Sequence, residues 1–168
     1  KIKITNNNNP IIYHVSDQFT IKRIKLISPN GGEFFMSSST YPISFEIGSI
    51  DNVKIVYSTD DFATSSTIVE TYSVTNGTNN YSWNVPSNLA NNNVKIRIFD
   101  VVKNEIRTQS IGSFKVGNVS LTSPIGGENW QAGSSKNITW TKSANVTTVN
   151  IAYTTDDGLN FVTIATNQ

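Results

Sequence analysis

Apolar and polar residues alternate along most of this chain, in short runs. Val53, Ile55 and Tyr57 point one way while Lys54 and Ser58 point the other; Tyr81, Trp83 and Val85 alternate with Ser82 and Asn84; Val94, Ile96 and Ile98 alternate with Lys95 and Arg97. A period of two puts one face of a strand in a core and the other in water. The spacing predicts strands near 24–28, 42–47, 53–59, 66–72, 80–85, 94–100 and 105–116, separated by "PNGGE", "GSIDN", "TNGTN" and "SNLANNN", all rich in turn residues. So many short strands in so short a stretch predict an all-β fold: an antiparallel β-sandwich of immunoglobulin-like or fibronectin III-like type.

The pattern also repeats at long range. "ISPNGGEFF" at Ile27 returns as "TSPIGGENW" at Thr122, Ile43-Ser-Phe45 as Ile138-Thr-Trp140, and "VKIVYSTDD" at Val53 as "VNIAYTTDD" at Val149, with a one-residue shift between the last two blocks. The beginning of the chain matches as well, "KIKIT" at Lys1 against "KIRIF" at Lys95, and "DQFTIKRIKLISP" at Asp17 against "GSFKVGNVSLTSP" at Gly112. A recurrence of this length predicts tandem units of about 95 residues. On that reading residues 1–22 are the C-terminal strands of a preceding repeat, 23–117 a complete repeat, and 118–168 the N-terminal part of a following one, with boundaries at Lys22-Arg23 and Gly117-Asn118. Neither boundary carries a Pro- or Ser-rich linker, so successive units are expected to form a semi-rigid rod, with neighbouring repeats completing both end units.

Composition narrows the chemistry. Charged residues make up 15% of the chain and the net charge is +1, with no basic cluster to follow a phosphate backbone, so no nucleic-acid partner is expected. Asn, Ser and Thr fill 61 of 168 positions, which suits strands with polar outer faces. Cysteine is absent, which removes disulfides and thiolate zinc sites. No apolar run reaches the ~18 residues of a membrane span, and "KIKITNNNNP" lacks a signal-peptide core, so an export signal is expected outside this segment. Asn76, Asn80, Asn118, Asn137 and Asn145 head N-glycosylation tripeptides, most of which such a composition produces by chance.

"SPNGGE", an aromatic two residues on, an "I-x-[FW]" strand and then "V-x-I-x-Y-[ST]-T-D" resemble the immunoglobulin-like repeat named after the yeast cell-wall proteins Kre9 and Knh1. The closest matches are Ser28, Pro29, Gly31, Gly32, Glu33 and Phe35, with Phe45, and in the second copy Ser123, Pro124, Gly126, Gly127, Glu128 and Trp130, with Gly133 and Trp140. The first copy departs in having Phe where the family favours Trp and Ser38 where a Gly is usual. The resemblance implies an exported β-sandwich module, often a spacer beside another domain, and brings no catalytic residues with it.

Candidate chemistry is sparse. Pro29 and Gly31-Gly32 suit a tight corner at which the first strand crosses between sheets, with Glu33 and Glu128 capping the amides of that corner. A phosphate loop would need a Lys-Ser/Thr and a helix. "TTDDGLNF" at Thr154 resembles the Asp-box hairpin, S-x-D-x-G-x-T-W, with Asp156, Gly158 and Phe161 in place; "STDDFAT" at Ser58 keeps Asp60 and Thr64 and loses the glycine. Asp60-Asp61 and Asp156-Asp157 are too few for a calcium site alone, because strand neighbours face opposite ways. Paired-carboxylate hydrolysis would need two groups across a cleft. His14 is the only histidine, so it predicts a surface side chain rather than a triad or metal site. Trp83 and Trp140 fall in phase with the core, leaving Phe34, Phe35 and Trp130 as further candidates for a sugar-stacking platform.

The sequence therefore predicts a structural, non-enzymatic segment of an extracellular or cell-surface protein, with no catalytic, cofactor-binding or metal-binding residue and no cofactor. Its expected partners are neighbouring repeats of the same chain, other copies met head to tail, and cell-wall or surface glycans, with no membrane span in this segment. The alternatives are a carbohydrate-binding or adhesive module, or an accessory domain of a secreted enzyme.

Overall fold

The computed structural model describes residues 1–168 and contains strands and no helix. A hairpin of β1 (Lys3–Thr5) and β2 (Tyr13–Val15) comes first. The middle of the chain holds β3 (Arg23–Ser28), β4 (Phe34–Met36), β5 (Thr40–Gly48), β6 (Asn52–Ser58), β7 (Ser66–Ser73), β8 (Gly77–Asn84), β9 (Asn91–Asp100), β10 (Arg107–Gln109) and β11 (Phe114–Gly117). Two further antiparallel pairs follow, β12 (Val119–Ser123) with β13 (Thr139–Lys142) and β14 (Ile151–Tyr153) with β15 (Val162–Ala165). The middle strands make a three-stranded sheet, β3-β5-β8, and a six-stranded one, β4-β11-β9-β6-β7 with β10 also on β9. All pairings are antiparallel except β4 on β11, which is parallel.

Alternation explains the core. Ile43, Phe45 and Ile47 on β5 and Trp83 on β8 meet Val53, Ile55, Ile96 and Ile98 of the larger sheet in one buried cluster, closed by Phe35, Phe114 and Val116. Burying each such side chain contributes about 1.5–3 kcal/mol. Every residue of this cluster lies between Leu26 and Val116, and the flanking strand pairs are largely exposed.

The structure departs from the periodic reading in three places. Phe34–Met36 is a strand that alternation missed, because its ladder is supplied by the distant β11. The expected strand at 105–116 is two, β10 and β11, broken where the corner at Asn30-Gly31 intrudes. Ser58, expected on a wet face, is buried because the loop after it folds its amides onto the Ser58 hydroxyl.

The pairing itself recurs along the chain. Lys3 faces Val15 and Ile4 faces His14 as Arg97 faces Gln109 and Ile98 faces Thr108. The hydrogen bonds agree too: Asn6 N to Ile12 O matches Asp100 N to Ile106 O, and Ile2 N to Ser16 Oγ matches Ile96 N to Ser110 Oγ. At the other end, Leu121 faces Trp140 as Leu26 faces Phe45, and Ala152 faces Thr163 as Val56 faces Thr67, each pairing with its irregularity in the same place.

Candidate functional site

The corner is a self-capped turn in both copies. Glu33 accepts the amides of Asn30 at 2.7 Å and Gly31 at 2.8 Å; Glu128 accepts those of Ile125 and Gly126, both at 2.7 Å. Partial burial pushes the Glu33 carboxyl up, but these amides outweigh it and hold the group below the usual range. The corner then pins the break in the last strand: Asn30 Oδ1 accepts from Ile111 N, Asn30 O from Gly112 N, and Gly32 N donates to Ser113 O. Backbones meet so closely there that a Cβ on Gly31 would stand 2.7 Å from Gly112 Cα, and Gly31 sits at φ 132. The chain passes from β3 in one sheet to β4 in the other through this corner, as Pro29 and the glycines predicted. It is a structural joint.

The Asp-box loops are also built alike. Asp60 accepts from Ser58 Oγ at 2.7 Å, Thr64 N at 3.0 Å and Thr64 Oγ1 at 2.6 Å, and these bonds, the Thr64 hydroxyl first, lower its carboxyl to about 2. Asp156 accepts from Thr154 Oγ1 at 2.6 Å, Asn160 N at 2.9 Å and Asn160 Nδ2 at 2.6 Å, and is likewise lowered to about 2. Where the second copy has Gly158 at φ 91, the first has Phe62 at φ 67. A bulky residue in that region is rare, and here the Phe62 ring lies under the Arg97 guanidinium at 3.6 Å. Asp60 and Asp61 both line a polar hollow of about 300 Å³, but Lys95 enters it and places its Nζ 2.7 Å from Asp61. The Lys95 ammonium therefore answers the Asp61 carboxylate within the hollow.

Two polar clasps fix the junctions between the terminal segments and the middle unit. At the first, Lys22 Nζ donates to Asp100 Oδ2 at 2.7 Å; the Asp100 side chain is 2% exposed and also accepts from Val102 N. Burial pushes the Asp100 carboxyl up, and the bonds from Lys22 and the Val102 and Lys103 amides outweigh it. At the second, Asn145 Nδ2 donates to Val116 O at 2.7 Å and lies 3.2 Å from Asn92 Oδ1. Asn118 and Ser143 exchange bonds beside it, and Gly117 is packed so tightly that an added Cβ would meet Ser143 Oγ at 2.9 Å and Phe34 at 3.1 Å. Asp100 and Asn92 are at opposite ends of β9. Eight residue steps separate them, roughly 26 Å at ~3.3 Å each, so the chain enters the central strands at one end of β9 and leaves at the other.

Sequence reasoning missed both clasps, although signals existed. Asp100 falls in phase with Val94, Ile96 and Ile98, where an acid needs a partner. Asn145 lies in the loop that contains the one-residue shift of the internal match.

The remaining candidates are placed apart from each other. Trp83 is buried, packed edge-on to Phe114 and beside Tyr57, as its phase predicted, and Trp140 is half-buried. Phe35 stacks on Tyr41 inside the core, which removes it from any platform; Phe34 is exposed at the second junction, and Trp130 is 44% exposed in the last segment. Tyr57, Tyr81 and Trp83 line a hollow of about 210 Å³ with Thr67, Asn84 and Pro86. His14 is exposed on the first hairpin. Among the glycosylation tripeptides, Asn145 has its amide nitrogen committed to the second clasp, while Asn76, Asn80, Asn118 and Asn137 are exposed. No family model, curated protein or solved structure matches this chain.

Proposed function

We propose that this chain is a stretch of a tandem array of immunoglobulin-like β-sandwich units, of the type found in Kre9 and Knh1, and serves as a stalk or spacer at a cell surface. Residues 23–117 form the whole unit, and the flanking segments are parts of its neighbours. The observation that carries the reading is the placement of the two clasps, Lys22 on Asp100 and Asn145 on Val116, at opposite ends of one strand. Units joined in that way stack end to end, and each polar clasp restrains bending without any linker. Two strand registers, each found twice along the chain, support the tandem reading.

The reading assigns no catalytic role. The strongly lowered carboxylates are bound up by their own turns, and the single histidine is exposed on the first hairpin. Electron microscopy of chains carrying increasing numbers of the 23–117 unit tests the function. Each added unit is expected to lengthen the particle by about 33 Å, the span of the ten residues of β9 at ~3.3 Å each. Globular clusters whose length does not grow with copy number would refute it.

The hollow beside Tyr57, Tyr81 and Trp83 favours a second reading, a glycan contact. The partly exposed rings of Tyr57 and Tyr81, with Thr67 and Asn84 over the buried Trp83, suit one sugar ring, and the hollow is smaller than the usual ligand pocket. Titration of cell-wall oligosaccharides against Tyr81→Ala and unaltered protein separates this reading from the purely mechanical one.

A further inference from the structure

The outward faces of β6, β9 and β10 gather cations that lie far apart in the sequence. Register sets Lys54 of β6 opposite Phe99 of β9, and Phe99 opposite Arg107 of β10, so an aromatic residue stands between two cations in one row across the sheet. In the next row Arg97 stands between Val56 and Gln109. Its guanidinium lies 3.6 Å from the centre of the Phe62 ring and 6.0 Å from that of Phe99, and Gln109 Oε1 accepts from its Nε at 2.9 Å and from its Nη2. Ring and amide hold the guanidinium from two sides, so it is fixed before a ligand arrives. Phe62 does this at φ 67, the kind of backbone strain that gathers at ligand clamps. Acids answer only part of the charge. Lys54 pairs with Glu70 at 2.9 Å and Lys95 with Asp61 at 2.7 Å, whereas Arg97 and Arg107 are in ion-pair contact with no carboxylate. Burial first, and then the charge of Arg107, push the Arg97 guanidinium down, and Asp61 offsets them only in part. Beside these groups the partly exposed Phe99 lines a hollow of about 200 Å³ with Lys54, Val56, Ser65 and Asn104.

We propose that this face binds an acidic polysaccharide, one carboxylated sugar ring resting on Phe99 with its carboxylate held by Arg97 and Arg107. The site lies on β6, β9, β10 and the loops beside them, and it does not depend on the tandem reading. Its parts match the ligand. The negative face of an aromatic ring attracts the C–H edges of a pyranose, and the planar fork of a guanidinium fits a carboxylate with two parallel bonds. Ser65 and Asn104 bring a hydroxyl and an amide to the same hollow for the sugar's own hydroxyls. The hollow is smaller than the usual ligand pocket, which suits one ring of a polymer passing over the sheet. A nucleic acid would need a run of cations following its phosphates, whereas here two unanswered guanidiniums flank one ring. The hollow beside Tyr57, Tyr81 and Trp83 is a different place, because Tyr57 turns to the core side of β6 and Lys54 and Val56 turn away from it.

NMR titration of the full chain tests this, with tetrasaccharides of galacturonate, mannuronate and hyaluronan as probes and the methyl ester of the galacturonate tetramer as the neutral control. At least one acidic probe is expected to shift the Nε–H signals of Arg97 and Arg107 and the ring signals of Phe99, and the methyl ester to shift none of them. Arg107→Gln removes an exposed charge without touching the core, and is expected to weaken binding about fivefold, the scale of an exposed ion pair. Phe99→Leu keeps an apolar side chain on the sheet and is expected to weaken it as well, while Tyr81→Ala is expected to leave it unchanged. Slow amide exchange at Ile96 controls for an intact fold in every variant. Absence of shifts with all three acidic probes, equal binding of the methyl ester, or unaltered affinity in Arg107→Gln would each overturn the proposal. A tetranucleotide bound as tightly as the best saccharide would overturn it by revealing a general polyanion surface, and loss of binding in Tyr81→Ala alone would move the sugar to the other hollow.

Discussion

Lys22, just before β3, places its ammonium 2.7 Å from Oδ2 of Asp100, an acid that points where its strand neighbours are apolar. The carboxylate is tolerated there because Lys22 and the Val102 amide answer it. The same bond ties the chain just after the first hairpin to the end of β9.

Lys22→Met should therefore do two things. It leaves a nearly buried carboxylate with amide partners only, which should cost about 1–3 kcal/mol in urea unfolding, and it should loosen the β1–β2 hairpin relative to the rest. Lys22→Arg should retain most of both. A Lys22→Met chain as stable and as rigid as the original would make the pair incidental.

Trp83 is 3% exposed and packs against Phe35, Phe114 and Tyr57. Trp83→Ala should destabilise the middle unit by ~3–5 kcal/mol, read as a lower urea midpoint with little change in slope. Glu33→Gln should cost much less, since an amide oxygen still accepts from one of the two amides that Glu33 caps.

Much of this was legible in the alternation. The strands around Phe45, Ile55, Trp83 and Ile98 lie where the period placed them, because each buries one face. Phe34–Met36 was not legible, since three residues show no period and their ladder comes from β11 far along the chain. Glu33 and Asp60 were readable as turn acceptors because their partners are local. The Lys22 clasp depends on a residue distant in sequence, so only the misplaced acid hinted at it.

Acid should loosen the Asp-box loops only at low pH. Asp60 and Asp156 are lowered to about 2 in the folded chain, against ~3.9 for a free aspartate. Their folded values are depressed, so the stability they contribute is full above about pH 4 and is lost as pH falls towards 2. Carboxyl chemical shifts should titrate near pH 2 at both positions, and the Thr64 and Asn160 amides should lose protection over the same window. Ordinary titration near pH 4 would contradict the capped-turn geometry.

Ser38 sits at φ 64, and Gly133 occupies the matching position at φ 80. A left-handed conformation costs an L-residue about 1–2 kcal/mol, partly offset by the extra freedom of an unfolded glycine. Ser38→Gly should thus raise stability by about 0.5–1 kcal/mol, measured as a higher urea midpoint. A loss of stability would mean that the Ser38 side chain holds the turn.

The most direct test of the rod is the radius of gyration of the full chain, from small-angle X-ray scattering at dilution low enough to keep it monomeric. A compact globule of this length would measure about 15 Å. With the chain entering and leaving the middle unit at opposite ends, the value should be well above that, and Lys22→Met should broaden the distance distribution. A value near 15 Å, unchanged by Lys22→Met, would contradict the end-to-end arrangement.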